Sequence, residues 1–201
     1  YISDIFKEAI LSAFPEVSFY SEEDHSLLKY PVCILDPIDG TKEFVAGRDE
    51  WAVSFGIYFS SDLSDERSFS WVYNPVTKFE ISSSEVIQPE LKQRAESKTI
   101  MISRTEDSNK LYADVEGIKL VAVGSIAYKL ALLASGQSRA VSTRRAKNIW
   151  DIMAGTHICY KFGISAFQNG SKLTSLDQTL FEANILWCKE ADLNSIMKNL
   201  S

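Results

Sequence analysis

The sequence predicts a mixed α/β protein, an α+β N-terminal half followed by an α/β C-terminal half. Three observations carry this. Apolar residues recur at three and four from Tyr1 to Phe14, as on one face of a helix. Runs rich in Val, Ile, Phe, Trp and Tyr follow up to Tyr73 and read as strands. Beyond Lys98, short apolar runs alternate with helical stretches, as layered α/β domains do.

In the first helix Ile2, Ile5, Phe6, Ala9, Ile10, Ala13 and Phe14 share a face, and Pro15 ends it. Val17–Tyr20 is a β-prone run leading into Ser21-Glu22-Glu23-Asp24, and Val32–Leu35 is a second that reaches Asp36. Two strands therefore deliver carboxylates at their ends. Trp51–Tyr58 and Phe69–Tyr73 read as an antiparallel pair around the polar Ser61–Ser68 loop, closed by Asn74-Pro75. The polar, patternless stretch from Ser82 to Lys98 places a junction near residue 97, dividing the chain into 1–97 and 98–201. After it, Thr99–Ile102 and Leu120–Val123 read as strands, and Ser125–Ala134 as a helix terminated by Gly136. Ile149–Tyr160 reads as a helix, Asn184–Cys188 as the last strand and Ala191–Leu200 as a closing helix. There is no internal repeat.

With 201 residues, 45% of them hydrophobic, the chain can bury a sizeable core, which excludes a disordered tail. Its 27 acidic and 21 basic side chains give a net charge of -6 without a Lys/Arg run, so no nucleic acid polymer is expected as partner. No apolar run approaches the roughly 20 residues of a membrane helix. Cys33, Cys159 and Cys188 lack CxxC spacing and sit among apolar neighbours, which reads as free buried thiols in a reducing cytoplasm. His25 and His157 carry no ligand spacing, and His157 reads as a packed core residue.

The strongest local signal is Asp36-Pro37-Ile38-Asp39-Gly40-Thr41, directly after an apolar strand. If the backbone turns there, as Pro37 and Gly40 permit, the two carboxylates become neighbours. Carboxylates with an intervening carbonyl suit hard cations such as Mg²⁺, and the Gly40 and Thr41 amides would face an anion. The plainer alternative is a turn whose aspartates cap the backbone. Glu22, 14 residues before Asp36, adds a third acid at a neighbouring strand end.

These residues resemble the Mg²⁺-dependent, lithium-sensitive phosphatases of the inositol monophosphatase superfamily. Asp36 to Thr41 matches their first signature, and Trp150-Asp151-Ile152-Met153-Ala154-Gly155 matches their second. Gly124-Ser125 resembles their Gly-Ser helix start, and Glu22-Glu23 their upstream acidic pair. The resemblance implies a layered α-β-α-β-α sugar-phosphatase fold and hydrolysis of a small phosphate monoester by metal-activated water. It assigns Glu22, Asp36 and the Ile38 carbonyl to one Mg²⁺, with Asp36, Asp39 and Asp151 holding a second. Two or three ions are implied, Mn²⁺ being an alternative. Thr41 and Glu22 would orient the attacking water. Asp39, the Gly40 and Thr41 amides and Asp151 would contact substrate. Taken alone, Asp151 reads as the N-cap of a helix beginning at Ile152, a role that can coexist with metal binding. A homodimer is a further expectation.

The chain departs from the family in places. Members carry another helix and a Thr-x-x-Asp segment ahead of the position of Tyr1, and a Gly-rich hairpin after the strand containing Thr77–Glu80. The expectation is that the native enzyme has both, the hairpin falling between Glu80 and Ile81. Met153 and Lys161-Phe162-Gly163 also differ, the first a change of packing. Thr41-Lys42-Glu43-Phe44 and Asn148-Ile149-Trp150-Asp151 resemble the branch acting on 3′-phosphoadenosine 5′-phosphate, whereas the spacing of Gly124 to Gly136 resembles the inositol monophosphatase branch. Arg144, where inositol phosphatases place a Glu, can grip a second phosphate, or it belongs with Arg145 and Lys147 to a solvated loop. The expectation is thus an inositol monophosphatase-type phosphomonoesterase. The alternatives are a bisphosphate nucleotidase and a non-catalytic binding module of the same fold.

Overall fold

The computed structural model describes residues 2–25, 27–85, 98–113 and 117–200. Helix α1 (Ile2–Ala13) precedes β1 (Ser18–Ser21), β2 (Val32–Asp39), the short α2 (Thr41–Val45), β3 (Ala52–Tyr58), β4 (Phe69–Tyr73) and β5 (Glu80–Ser82). The five strands form one sheet in chain order, β1 and β2 parallel and the later neighbours antiparallel. β3 alternates buried and half-buried residues along its whole length, as a strand covered unequally on its two faces does.

The remaining chain runs through β6 (Thr99–Ile102), α3 (Arg104–Ser108), β7 (Lys119–Ala122), α4 (Ile126–Ala134), β8 (Ala140–Thr143), β9 (Lys147–Asn148), α5 (Ile149–Lys161), β10 (Ser165–Gln168), β11 (Ser171–Leu173), β12 (Leu180–Phe181), β13 (Ile185–Cys188) and α6 (Leu193–Leu200). Six of these strands form a second sheet in the order β11-β10-β13-β8-β6-β7, and β9 pairs with β12. Strands up to Ser82 pair only in the first sheet and strands from Thr99 only in the others; the junction expected near residue 97 lies outside the described residues.

Three apolar clusters set the layers. Phe6 and Ile10 of α1 cover Val17, Phe19, Cys33 and Leu35 on one face of the first sheet. Its other face, with Val32, Ile34, Tyr58 and Val72, shares a core with Leu130 of α4, Ile152 and Ile158 of α5, and Met101, Val141 and Trp187 of the second sheet. The far face of that sheet, with Ile100, Phe167 and Leu186, is closed by Ile196 of α6. The result is α-β-α-β-α. α4 and α5 cross closely because Gly155 has no side chain: a Cβ there would sit 2.6 Å from Leu130 Cβ.

Three sequence expectations change. α1 buries less of its apolar face than its periodicity implies, Ile2 and Ile5 being exposed. β8 and the short β9 to β12 were not expected, because a four-residue run such as Ala140–Thr143, half polar, carries no periodic signal. Glu80 and Ile81 are consecutive residues of β5, paired with Tyr73 and Val72, so no hairpin falls between them. The three cysteines are free and buried. Among the described residues no helix is long and apolar enough to cross a membrane.

Candidate functional site

The apolar strand β2 continues through the Asp36–Asp39 motif instead of ending before it. In a regular strand, residues three apart face opposite sides. Here Asp36 pairs with Ser54 but Asp39 with Ala52, so a step of three on β2 meets a step of two on β3. This bulge reverses the alternation and brings both carboxylates to one side. Gly40, at φ 93°, then turns the chain into α2, and its missing side chain matters: a Cβ would lie 3.0 Å from Ser125 Cβ.

Asp151 reaches the same point from α5. The helix begins at Ile149, so Asp151 is its third residue, not its N-cap, and its Oδ2 accepts the Asn148 N–H at 3.0 Å. One carboxylate oxygen from each of Asp36, Asp39 and Asp151 lies within 4.8 Å of the other two. Asp36 Oδ1 accepts the Ile38 N–H at 2.9 Å; Asp39 Oδ2 accepts the Ser125 hydroxyl and, at 2.6 Å, the Ala127 N–H. Burial first, and then the neighbouring Asp39 carboxylate, raise the pKa of Asp36 and of Asp151. Burial also raises that of Asp39, against the lowering effect of Ser125 and Ala127.

Glu22 follows β1, whose parallel register pairs Ser21 with Leu35 and so sets Glu22 beside Asp36. It is exposed and stands outside the 4.8 Å cluster. Its own pKa is raised by partial burial and then by Glu23 and Asp39, which marks it as a neighbour of the site. Thr41 donates its hydroxyl to the Ile38 carbonyl at 3.1 Å.

A cavity of about 230 Å³ opens on Asp39, Gly40 and Asp151. Its other walls include Lys42, Lys129, Arg145 and Lys147, together with Ser103, Glu106 and Thr143. Lys129 was not singled out by the sequence, although a lysine inside the apolar run Ile126–Ala134 was the available signal. It is fully buried, donates to the Val123 carbonyl at 3.0 Å, and burial pulls its pKa down to about 8 despite the opposing pull of Asp39. Glu106 is buried too, yet hydrogen bonds from Thr143 and the Arg144 N–H, both 2.7 Å, outweigh burial and lower its pKa.

Arg144 is not part of this cavity. Just past the end of β8 the two arginines part: Arg145 lines the carboxylate cavity, Arg144 lines a different one with Ser142, and Thr143 reaches both. The Arg144 guanidinium stacks 4.7 Å over the Tyr112 ring and donates to the Leu111 carbonyl at 2.6 Å. The cations that do face the carboxylates are its neighbours Arg145 and Lys147.

Glu50 ties the two halves together beside the site. Its Oε2 accepts the Gly124 N–H at 2.7 Å and the Arg104 Nε–H at 2.8 Å, which anchors the turn that presents Ser125 to Asp39. His157 is remote from the cavity and packed, with Nδ1 2.8 Å from the Ser70 hydroxyl. His25 is exposed and stacks on Trp150 at 5.0 Å.

The sequence profile of the inositol monophosphatase family matches residues 1–197. No curated protein matches the chain in sequence. Among solved structures, inositol monophosphatase-II from Staphylococcus aureus superposes with a TM-score of 0.73 at 22% identity, covering 98% of this chain and 78% of that one. The 2′AMP-bound SaIMPase-II gives 0.72 at 23% identity, with 98% and 80% covered. The Thermotoga maritima IMPase gives 0.76 at 20% identity, with 98% and 79% covered. These likenesses establish the layered fold.

Proposed function

The chain belongs to the inositol monophosphatase family, and on that premise we propose that it is a metal-dependent phosphatase that hydrolyses a small polyol or nucleotide phosphate monoester. The observation that carries this reading is the convergence of Asp36, Asp39 and Asp151 within 4.8 Å. Like charges brought together in a buried place are unstable alone, as their raised pKa values register, and a divalent cation reverses that penalty. An all-oxygen donor set fits a hard ion such as Mg²⁺, with Mn²⁺ as substitute.

Asp36, Asp39 and Asp151 would hold one ion, and Glu22, Asp36 and the Ile38 carbonyl another. When bound, such ions activate water and neutralise charge on the transferring phosphoryl group. The protein's own groups then divide the remaining work. Glu22 and the Thr41 hydroxyl orient the attacking water, and the Glu22 carboxylate accepts its proton. The Gly40 and Thr41 N–H groups receive phosphate oxygens at the bulged end of β2. Lys42, Arg145 and Lys147 draw the anionic substrate into the cavity, while the Ser125 hydroxyl aims Asp39 and favours its charged form against burial.

A second reading, a nucleotidase acting on 3′-phosphoadenosine 5′-phosphate, is favoured by Lys129, Arg145 and Lys147 lining the same cavity as the carboxylates. Phosphate release from inositol 1-phosphate, 2′-AMP and 3′-phosphoadenosine 5′-phosphate, with Mg²⁺ or excess EDTA, tests both. Metal-dependent release from any of them supports the phosphatase reading, and the preferred substrate chooses between branches. Saturable binding of substrate and metal with no release would leave a binding module of this fold. Inhibition by Li⁺ belongs to the same reading, through the weaker of the two metal positions.

A further inference from the structure

The Arg144 guanidinium lines a second cavity of about 290 Å³, on the face of β8 opposite the carboxylates and under α6. Its size lies at the lower end of small-ligand pockets. The guanidinium is held flat by neutral groups: the Tyr112 ring, the Leu111 carbonyl and the Leu200 carbonyl. These fix its direction without cancelling its charge, and among the described residues no carboxylate pairs with it. Among the described residues two of its five N–H groups have acceptors. Capping the last carbonyls of α6 accounts for one contact and not for the cavity.

The rest of the lining is matched to an anion with an apolar body. Ser142 accepts the Tyr112 hydroxyl at 3.0 Å, so its own proton is left to donate, with no acceptor among the described residues. Asn184 donates to Asn169 Oδ1 at 3.3 Å, which leaves the Asn169 amide hydrogens pointing elsewhere in a wall that both residues share. Phe167, Leu186 and Met197 supply the apolar side. Donors and one cation without a carboxylate partner among the described residues on one wall, with hydrocarbon on the other, describe a receptor for an amphipathic anion.

We infer that this cavity is a second binding site, distinct from the carboxylate cavity, for a small organic anion: a carboxylate on a compact apolar group. The charged head meets Arg144 and Ser142, and the apolar body packs on Phe167, Leu186 and Met197. The two cavities lie back to back across β8, with Thr143 contributing to both linings.

Sodium benzoate is the probe, titrated into the ¹⁵N-labelled full chain at constant ionic strength. The expected result is saturable shifts of the Ser142, Arg144, Asn184 and Met197 amides, with acetate and benzamide binding about tenfold more weakly because each lacks one half of the match. Arg144→Gln and Met197→Trp should each weaken benzoate about tenfold, the first by removing charge and the second by filling the cavity, and Arg145→Ala should not. The wild-type shift map needs no variant to fold. Absence of saturable shifts, shifts confined to residues around Asp39 and Asp151, or equal affinity for benzoate and benzamide would overturn the inference.

Discussion

Ser125 donates its hydroxyl to Asp39 across 86 residues of sequence, and the same Ser125 oxygen accepts the Tyr128 N–H at 2.9 Å as the cap of α4. One side chain thus starts a helix of the C-terminal half and holds a carboxylate of the N-terminal half. Ser125→Ala should lower stability by about 1–2 kcal/mol, a lost cap plus a lost bond to a charged group, read as a shift in urea midpoint. Turnover should fall with it, and an unchanged kcat would show that Asp39 needs no such support.

Asp36→Asn separates stability from function. Neutralising one of three crowded acids removes like-charge repulsion and a buried charge, so the metal-free variant should be more stable than wild type by about 1–2 kcal/mol. The rise in Tm that Mg²⁺ gives the wild type should disappear, and phosphate release should drop by about a hundredfold or more. A variant less stable without metal would mean that Asp36 is a structural acceptor for the Ile38 N–H before anything else.

Substrate choice should follow the residues on the carboxylate side of β8. If the substrate carries a second phosphate, Arg145→Ala should reduce kcat/KM for 3′-phosphoadenosine 5′-phosphate by about tenfold more than for inositol 1-phosphate, the worth of one charge-assisted contact. Arg144→Ala should leave that ratio unchanged, because its guanidinium is turned to the other face. An equal loss on both substrates in Arg145→Ala would favour the plain polyol phosphate.

His157 should make the fold acid-sensitive. Burial, and then Lys161, hold its pKa at about 4 against the ordinary 6.5, so the native state prefers the neutral ring. A group whose pKa is depressed on folding contributes stability that is complete above the ordinary value and is lost as pH falls toward the native value. Stability should therefore decline by about 2 kcal/mol between pH 6.5 and 5 on this account. In His157→Phe that decline should flatten, whatever the absolute stability; an unchanged slope would assign the acid sensitivity to other groups.

Gly155→Val should destabilise the protein by about 1–3 kcal/mol, since a Cβ 2.6 Å from Leu130 Cβ forces α4 and α5 apart in the shared core. Thermal unfolding measures this, and a neutral result would show that the helices can slide.

The motif Asp36 to Thr41, the acids at strand ends, the Trp150-Asp151 helix start and most of the longer elements were legible in the chain, because strong apolar periodicity and Pro/Gly punctuation are local properties. The relations among those residues were not. Asp36 and Asp39 share a side only because β2 is bulged against β3, a property of the pairing with Ser54 and Ala52. Arg144 and Arg145, just past the end of Ala140–Thr143, enter different cavities, and in so short and polar a run only its neighbours β6 and β13 make that segment a strand. Lys129 became a cavity residue when α4 packed beside Asp39. Composition and spacing decided which chemical groups this protein owns; register and strand parity, which arise between segments distant in sequence, decided which of them meet.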